Sequence, residues 1–208
     1  MDEVESIEEI SDEVFEEKKS LKDILVEMKD LSEATTDLAY SAVLLNSTEL
    51  AEEVVEMEVQ MDKLRIEAEL KAMLASRNQE DAEDLVAMLH IAAAAENMSD
   101  AAKNIVEVVL RGEGDHPILR GMVSEAEETT IKAKVSEDSV LAGKTLGALC
   151  LSTHTGMLVI AIKRGKRWLY RPKKRSVIQA GDLLIAVGSQ EGAELLQEIA
   201  EGKITEIC

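Results

Sequence analysis

The sequence of 208 residues predicts a multidomain protein of α and α+β class, in which an antiparallel three-helix bundle precedes a small α+β domain. Three observations predict this organisation. Residues 1–112 contain no proline and one glycine, Gly112, and their apolar residues recur at intervals of three and four, as on the buried face of a helix. Glycine and proline then cluster between Gly112 and Pro117. After this cluster the apolar pattern changes towards the alternation that is typical of strands.

The helical half is predicted to form three helices of roughly 25–33 residues, separated by two short polar breaks. Asn46 with Glu49, and Asn78 with Asp81, have the spacing of an N-cap and an acidic third helical position, so we place helix starts there. Short connections between long helices imply antiparallel neighbours.

The methionine, histidine and cysteine side chains are not predicted to be catalytic or to bind metal. Four methionines fall at helical positions that favour the core: Met57, Met61, Met73 and Met88. The three histidines lie in three different elements, at spacings that suggest no catalytic triad: His90, His116 and His154. The cysteines, Cys150 and Cys208, lack a neighbouring histidine or CxxC spacing, which fits a reducing compartment.

The predicted boundaries divide the chain into four parts. They are an acidic N-terminal tail (1–16), the helical bundle (17–112), a linker (113–125) with a short helix from Pro117 to about Glu125, and the α+β domain (126–208). In the α+β domain, runs rich in Val, Ile, Thr and aromatic residues predict strands at Thr129–Val135, Met157–Lys163, Trp168–Arg171 and Asp182–Val187. Helices are predicted at Ser139–Leu151 and Ser189–Ala200.

The two halves differ in charge. Residues 1–112 carry 10 basic and 29 acidic side chains, a net charge of −19, whereas residues 113–208 carry 13 of each. Because the strongly acidic surface of residues 1–112 repels nucleic acid and anionic lipid, we expect no nucleic-acid partner. The sequence contains no apolar run long enough to span a membrane and no secretory signal, so we expect a cytoplasmic protein without direct membrane insertion.

Three Glu-x-x-x-Asp pairs are the candidate metal ligands of the helical half. Four-residue spacing places both carboxylates on one helix face, where a cation would offset their repulsion. Carboxylate ligands favour Mg, Mn or Fe. The alternative interpretation is a set of solvated acidic faces. The pairs are Glu33/Asp37, Glu58/Asp62 and Glu96/Asp100.

A basic segment from Lys163 to Arg175 is the candidate ligand site of the second half. It contains eight Lys or Arg residues and no acid, with Trp168 and Tyr170 between them, a composition typical of anion or nucleotide sites. The predicted ligand contacts are Lys163, Arg164 and Arg171. The alternative is a hairpin with a basic outer face and Trp168 packed on the core.

The second half resembles the TrkA C-terminal (TrkA-C) domain, the ligand-binding lobe of the RCK modules that regulate potassium conductance. The resemblance rests on Ser139-Val-Leu-Ala-Gly-Lys-Thr-Leu146, Val159-Ile-Ala-Ile162, Arg164-Gly165, Pro172 and Ala180-Gly-Asp-Leu-Leu-Ile-Ala-Val-Gly188. It implies a homodimer through this domain, with a ligand such as a nucleotide or cyclic dinucleotide near the interface. The dinucleotide-binding fingerprint GxGxxG is absent, so we predict no NAD site.

The first half resembles one three-helix repeat of a PhoU protein, a family in which the repeat normally occurs twice. The resemblance rests on Glu96-Asn-Met-Ser-Asp-Ala-Ala-Lys-Asn-Ile105 and Glu53-Val-Val-Glu-Met-Glu-Val-Gln-Met-Asp62. Family members regulate phosphate uptake, and in some of them these carboxylates bind metal clusters. With a single repeat, the second set of ligands would come from a partner subunit.

Together these features predict a regulatory protein of cation transport, with potassium as the expected ion, rather than an enzyme. It would sense a small ligand through the TrkA-C-like domain and act on a transporter through the PhoU-like domain. One alternative is a phosphate-uptake regulator or adaptor with a carboxylate metal site in the helical domain. A metal-dependent enzyme is less favoured, because the Glu-x-x-His ligands that are typical of di-metal bundles do not accompany the acidic pairs.

Overall fold

A computed structural model describes residues 19–117, 119, 121 and 129–204. They form two compact units. The first contains the described residues through Ala39 together with Glu49–Glu107, and the second contains Tyr40–Thr48 together with the described residues from Val108 onward. The predicted acidic tail and most of the predicted linker helix lie outside the described residues. Within the described ranges, no helix combines the length and apolar character needed to cross a membrane.

Three long helices confirm the predicted bundle. They are α1 (Leu21–Leu44), α2 (Thr48–Ala75) and α3 (Gln79–Leu110). Two ion pairs show that α2 and α3 are antiparallel: Glu58 of α2 contacts Lys103 of α3, and Arg65, further along α2, contacts Glu96, earlier along α3. The short connection between α1 and α2 favours antiparallel neighbours.

Both predicted helix starts are confirmed to within two residues, but only one of the two predicted caps is correct. Asn78 caps α3, because its Oδ1 accepts a hydrogen bond of 2.9 Å from the Asp81 amide. Asn46 instead ends α1: it has a φ of 44°, and the Asn46 and Ser47 amides donate to the carbonyls of Val43 and Ala42. These are the hydrogen bonds of a Schellman C-terminus, in which Asn tolerates the left-handed conformation.

The bundle core draws on all three helices, with Ile24, Met28 and Leu38 from α1, Met57 and Met61 from α2, and Val106 from α3 among its buried side chains. The prediction that Met73 and Met88 are also core residues was wrong, because they are 70% and 42% exposed. No described residue from Met73 to Ile91 is buried, so the end of α2 and the first turns of α3 leave their apolar residues in contact with solvent.

The α+β unit contains a four-stranded antiparallel sheet. Its strands are β1 (Thr129–Lys134), β2 (Leu158–Arg164), β3 (Arg167–Tyr170) and β4 (Leu183–Gly188), in the spatial order β1-β4-β2-β3. The hairpin between β2 and β3 turns through Gly165, whose φ of 62° suits a tight turn. All four predicted strands are present, each with ends within one or two residues of the prediction.

Helix α6 (Gln190–Ala200) packs against β1 and β4. Its N-cap is Ser189, whose Oγ accepts from the Gly192 amide, close to the predicted helix start. The prediction of one helix over Ser139–Leu151 was wrong: this segment forms turns that end in α4 (Leu146–Leu149), and α5 (Leu151–Thr155) follows. The helical hydrogen-bond pattern is interrupted at Gly143, which has a φ of 78° and whose amide donates to the Ile178 carbonyl.

Candidate ligand cleft and carboxylate motifs

A cleft of about 340 Å³ opens in the α+β unit. It lies between the short helices α4 and α5, the start of β2 and the loop after β3. A mostly apolar lining with a few polar groups is typical of small-molecule sites. The lining residues are Leu146, Gly147, Cys150, Leu151, Ser152, Thr153, Met157, Leu158, Val159, Pro172 and Lys174.

The helical wall of the cleft is shaped by a cap and a left-handed residue. Thr145 caps α4, with its Oγ1 accepting from the Ala148 amide at 3.2 Å. Cys150 has a φ of 44° and separates α4 from α5, and its side chain is exposed. Because the chain turns at Cys150, the hydroxyl residues Ser152 and Thr153 of α5 reach the same cleft as α4.

The opposite wall is a loop that is held against α4 by its backbone. The Leu146 amide donates to the Ser176 carbonyl at 2.9 Å, and the Gly147 amide donates to the Lys174 carbonyl at 2.7 Å. A Cβ atom on residue 147 would lie 2.8 Å from that Lys174 carbonyl oxygen, which is closer than a real side chain tolerates. Glycine at this position therefore allows the loop to approach and fixes Lys174 at the cleft.

The cleft combines one cation with hydroxyl groups and apolar surface. Lys174 is the basic residue of the lining, and Ser152 and Thr153 are its hydroxyl residues. Leu158 lines the cleft and is 60% exposed. These are the kinds of group that an anionic molecule with a flat or apolar part would contact.

The three predicted ligand contacts do not line the cleft. Arg164 donates to both oxygens of the buried Asp182, and Lys163 lies over the Trp168 ring, 5.2 Å from its centroid. Arg171 has a φ of 44°, and its amide donates to the Ile160 carbonyl. The hydrogen bond to Asp182 raises the pKa of Arg164 further above its usual value. A ligand role for Lys163, Arg164 and Arg171 stays a prediction.

The basic segment does reach the cleft, through Pro172 and Lys174. Sequence reasoning missed the residues of the other walls, from Leu146 to Thr153 and from Met157 to Val159. The sequence did contain one signal of this cleft, Gly147. It is the second residue of α4, and glycine is unfavourable inside a helix, so its presence indicates a close approach of another part of the chain.

In the bundle, each glutamate of the three Glu-x-x-x-Asp pairs has a basic neighbour. Glu33 pairs with Lys29, Glu58 with Lys103 and Glu96 with Arg65. Partial desolvation raises the pKa of Asp37. The described part of the chain contains no group of three or more acidic, His or Cys side chains placed to hold a metal ion. A metal on these pairs stays a prediction.

Two domain families match the chain. The PhoU domain matches residues 25–109, and the TrkA-C domain matches residues 131–201. The match boundaries correspond to the helical bundle and to the α+β unit from β1 to the end of α6.

Two curated proteins and one solved structure illustrate these matches. The chain is 34% identical over 113 residues to the phosphate-specific transport system accessory protein PhoU homolog of Zymomonas mobilis, covering 52% of this chain and 45% of that protein. It is 26% identical over 84 residues to potassium channel protein 1 of Methanocaldococcus jannaschii, covering 40% and 25%. The RCK_C domain dimer of S. agalactiae BusR in complex with c-di-AMP is 27% identical, with a TM-score of 0.35 and coverage of 38% and 96%. The chain thus spans less than half the length of both curated relatives.

Proposed function

Because this chain combines a PhoU domain with a TrkA-C domain, we propose that it is a cytoplasmic regulator of potassium transport that binds a small anionic ligand in the cleft of its α+β unit. The domain pair supports a regulatory rather than an enzymatic role. The observation that carries the ligand proposal is the cleft itself, with Lys174 held at its wall by the backbone contact to Gly147.

The ligand that best fits this cleft is a nucleotide, with a cyclic dinucleotide as the first choice. Lys174 would pair with a phosphate, and the apolar lining from Leu146, Leu151 and Val159 would contact a base. A cyclic dinucleotide carries two equivalent nucleotide halves. A symmetric pair of subunits could therefore offer one cleft to each half.

We further propose that the chain forms a homodimer through the α+β unit. Leu158, Leu169 and Val177 are 60%, 43% and 40% exposed, and β3 is a short edge strand of the sheet. Leu158 also lines the cleft. A two-fold interface that includes Leu158 would bury exposed apolar surface at the cleft and bring the ligand close to the contact between subunits.

Regulation requires that the ligand bind two arrangements of the protein with different affinity. In the proposed mechanism, ligand binding changes the geometry of the dimer, and the PhoU domains transmit this change to a transporter. The TrkA-C domain and the likeness to a potassium channel protein favour potassium as the transported ion. The likeness to a PhoU homolog of a phosphate transport system favours phosphate as the second candidate.

Ligand binding is tested by calorimetry and thermal unfolding of the full chain with c-di-AMP, AMP, ATP and inorganic phosphate. We expect one nucleotide of the panel to bind saturably and to raise the unfolding midpoint by several degrees. Lys174→Glu should abolish this binding, whereas Lys173→Ala, at an exposed position outside the cleft lining, should retain it. An unchanged midpoint across the panel would instead favour an adaptor without a small ligand.

Two further measurements test the dimer and the regulated ion. Light scattering should give a dimer for the wild type and a monomer for Leu158→Glu, while Leu158→Met stays dimeric. In cells that lack the gene, uptake of rubidium as a potassium substitute and of phosphate is compared after complementation with the wild type or Lys174→Glu. A difference confined to phosphate uptake would select the second candidate.

A further inference from the structure

The PhoU resemblance implies a metal on the Glu-x-x-x-Asp motifs, so the residues around these motifs decide whether a metal fits. Glu58 is the most informative position, because its side chain is only 8% exposed. A carboxylate buried to this extent needs a cation or hydrogen-bond donors close by. The group that contacts Glu58 therefore shows which cation neutralises this carboxylate.

The partner of Glu58 is Lys103 of α3. The Lys103 ammonium lies 2.8 Å from Glu58 Oε1, a direct contact across the interface between α2 and α3. Asp62 follows Glu58 by one helical turn on α2, and Asp100 precedes Lys103 by nearly one turn on α3. The hydrogen bond to Glu58, followed by the charges of Glu58, Asp62 and Asp100, raises the pKa of Lys103. The ammonium thus lies within the field of three of the six carboxylates predicted to bind metal.

The other two glutamates also have basic neighbours, in looser or more exposed pairs. The Arg65 Nε lies 3.9 Å from Glu96 Oε1, also between α2 and α3, and the Lys29 Nζ lies 3.0 Å from Glu33 Oε1 within α1. A metal ligand must offer its carboxylate to the ion, and here each glutamate has a basic side chain within ion-pair distance, most closely at the buried Glu58. The residues of the described bundle therefore do not fit a metal cluster.

We propose that the side chain of Lys103 occupies the cation position of the Glu58/Asp62 and Asp100 carboxylates, so that in the PhoU domain of this chain an ion pair between α2 and α3 takes the place of a metal. Lys103 is a positioning residue in this proposal: it joins α2 to α3 and neutralises the buried Glu58. The consequence is that metal supply does not affect the fold of this domain.

Metal content is the first test. The full chain is purified without chelators and analysed for its elements, and its thermal unfolding is then measured with added MnCl2 or ferrous iron alone. We expect far less than one metal per chain and no saturable rise in the midpoint. A stoichiometric metal that is lost in Glu58→Gln and retained in Glu198→Gln, an exposed acid of α6, would overturn the proposal.

The ion pair itself is the second test, and it does not depend on metal. Lys103→Met should lower the unfolding midpoint of the helical domain by several degrees more than Lys29→Met, because Lys29 pairs with Glu33 at an exposed position. Adding Glu58→Gln to Lys103→Met should recover much of this loss, because the buried charge is then removed. Lys103→Arg keeps the positive charge and should lower the unfolding midpoint less than Lys103→Met does. Equal losses for Lys103→Met and Lys29→Met, or no recovery by Glu58→Gln, would overturn the proposal.

Discussion

The guanidinium of Arg164 donates two hydrogen bonds of 2.8 Å to the carboxylate of Asp182, which is completely buried at the start of β4. The same guanidinium donates to the Val177 carbonyl, and the Gln179 amide donates to Asp182. The pair therefore joins the end of β2 to the turn before β4. Its role is to fix this part of the α+β unit, whatever else the basic segment binds.

Replacement of Arg164 by Gln should destabilise the α+β unit by about 2–4 kcal/mol, because Asp182 then stays buried without its cation. This loss of stability is smaller than that expected for a fully buried ion pair, because the Arg164 side chain is half exposed. Urea unfolding followed by circular dichroism measures the loss. Arg167→Gln, opposite Arg164 on the exposed edge strand β3, should change stability by less than about 0.5 kcal/mol. Similar values for the two variants would contradict the structural role of Arg164.

The methionines of the bundle should divide into two classes. Met57→Ala should cost about 2–5 kcal/mol, because Met57 is fully buried between the helices and its removal leaves a cavity. Met73→Ala, on the same helix, should stay within about 0.5 kcal/mol, because Met73 is 70% exposed. Chemical unfolding of both variants measures the contrast. A large loss for Met73→Ala would mean that the end of α2 is covered in solution.

The exposure of Met73 and Met88 also shows what could not be predicted from the sequence. The helices could be predicted because their apolar period persists over many turns, and the cap at Asn78 because a local side chain supplies it. Periodicity shows that a face is apolar, but not whether another helix covers it. Met73 and Met88 continue the pattern beyond the part of the bundle that is covered.

The ligand cleft and the surroundings of the carboxylate pairs were less predictable than the helices and strands, because they depend on contacts between residues that are distant in sequence. The spacing of Glu58 and Asp62 gives no indication that Lys103 of the next helix reaches Glu58. The cleft likewise depends on a close approach of the Lys174 carbonyl to Gly147. Composition drew attention to the basic segment, but it could not distinguish Arg164, which binds Asp182, from Lys174, which lines the cleft.

Gly192 should be intolerant of any side chain. A Cβ atom at this position in the first turn of α6 would collide with the carbonyl oxygen of Thr155 at the end of α5. Gly192→Ala should therefore cost about 1–3 kcal/mol through overpacking, although alanine favours helices by about 0.5–1 kcal/mol. Thermal unfolding measures the difference. Glu198→Ala, at an exposed position of the same helix, is the control and should be nearly neutral. A stabilised Gly192→Ala would show that α5 can move away.

The contribution of Lys103 to stability should fall in the alkaline range. The hydrogen bond to Glu58 raises the pKa of Lys103 above its ordinary value of 10.5, so the folded protein holds this proton more tightly than the unfolded chain does. The stabilisation is therefore complete below pH 10.5 and is lost as the pH rises through the raised pKa. The difference in unfolding free energy between the wild type and Lys103→Met should stay constant from about pH 7 to about pH 10 and shrink above it.

Lys103→Arg is the control for this alkaline loss, because arginine stays protonated beyond about pH 12. Urea unfolding of the wild type, Lys103→Met and Lys103→Arg in the same buffers cancels the titration of all other groups. Above pH 10.5, the wild type should approach Lys103→Met, while Lys103→Arg keeps its advantage. If Lys103→Arg lost stability in parallel with the wild type, another group would cause the alkaline change. The pair with Glu58 would then not be the contact that raises the pKa of Lys103.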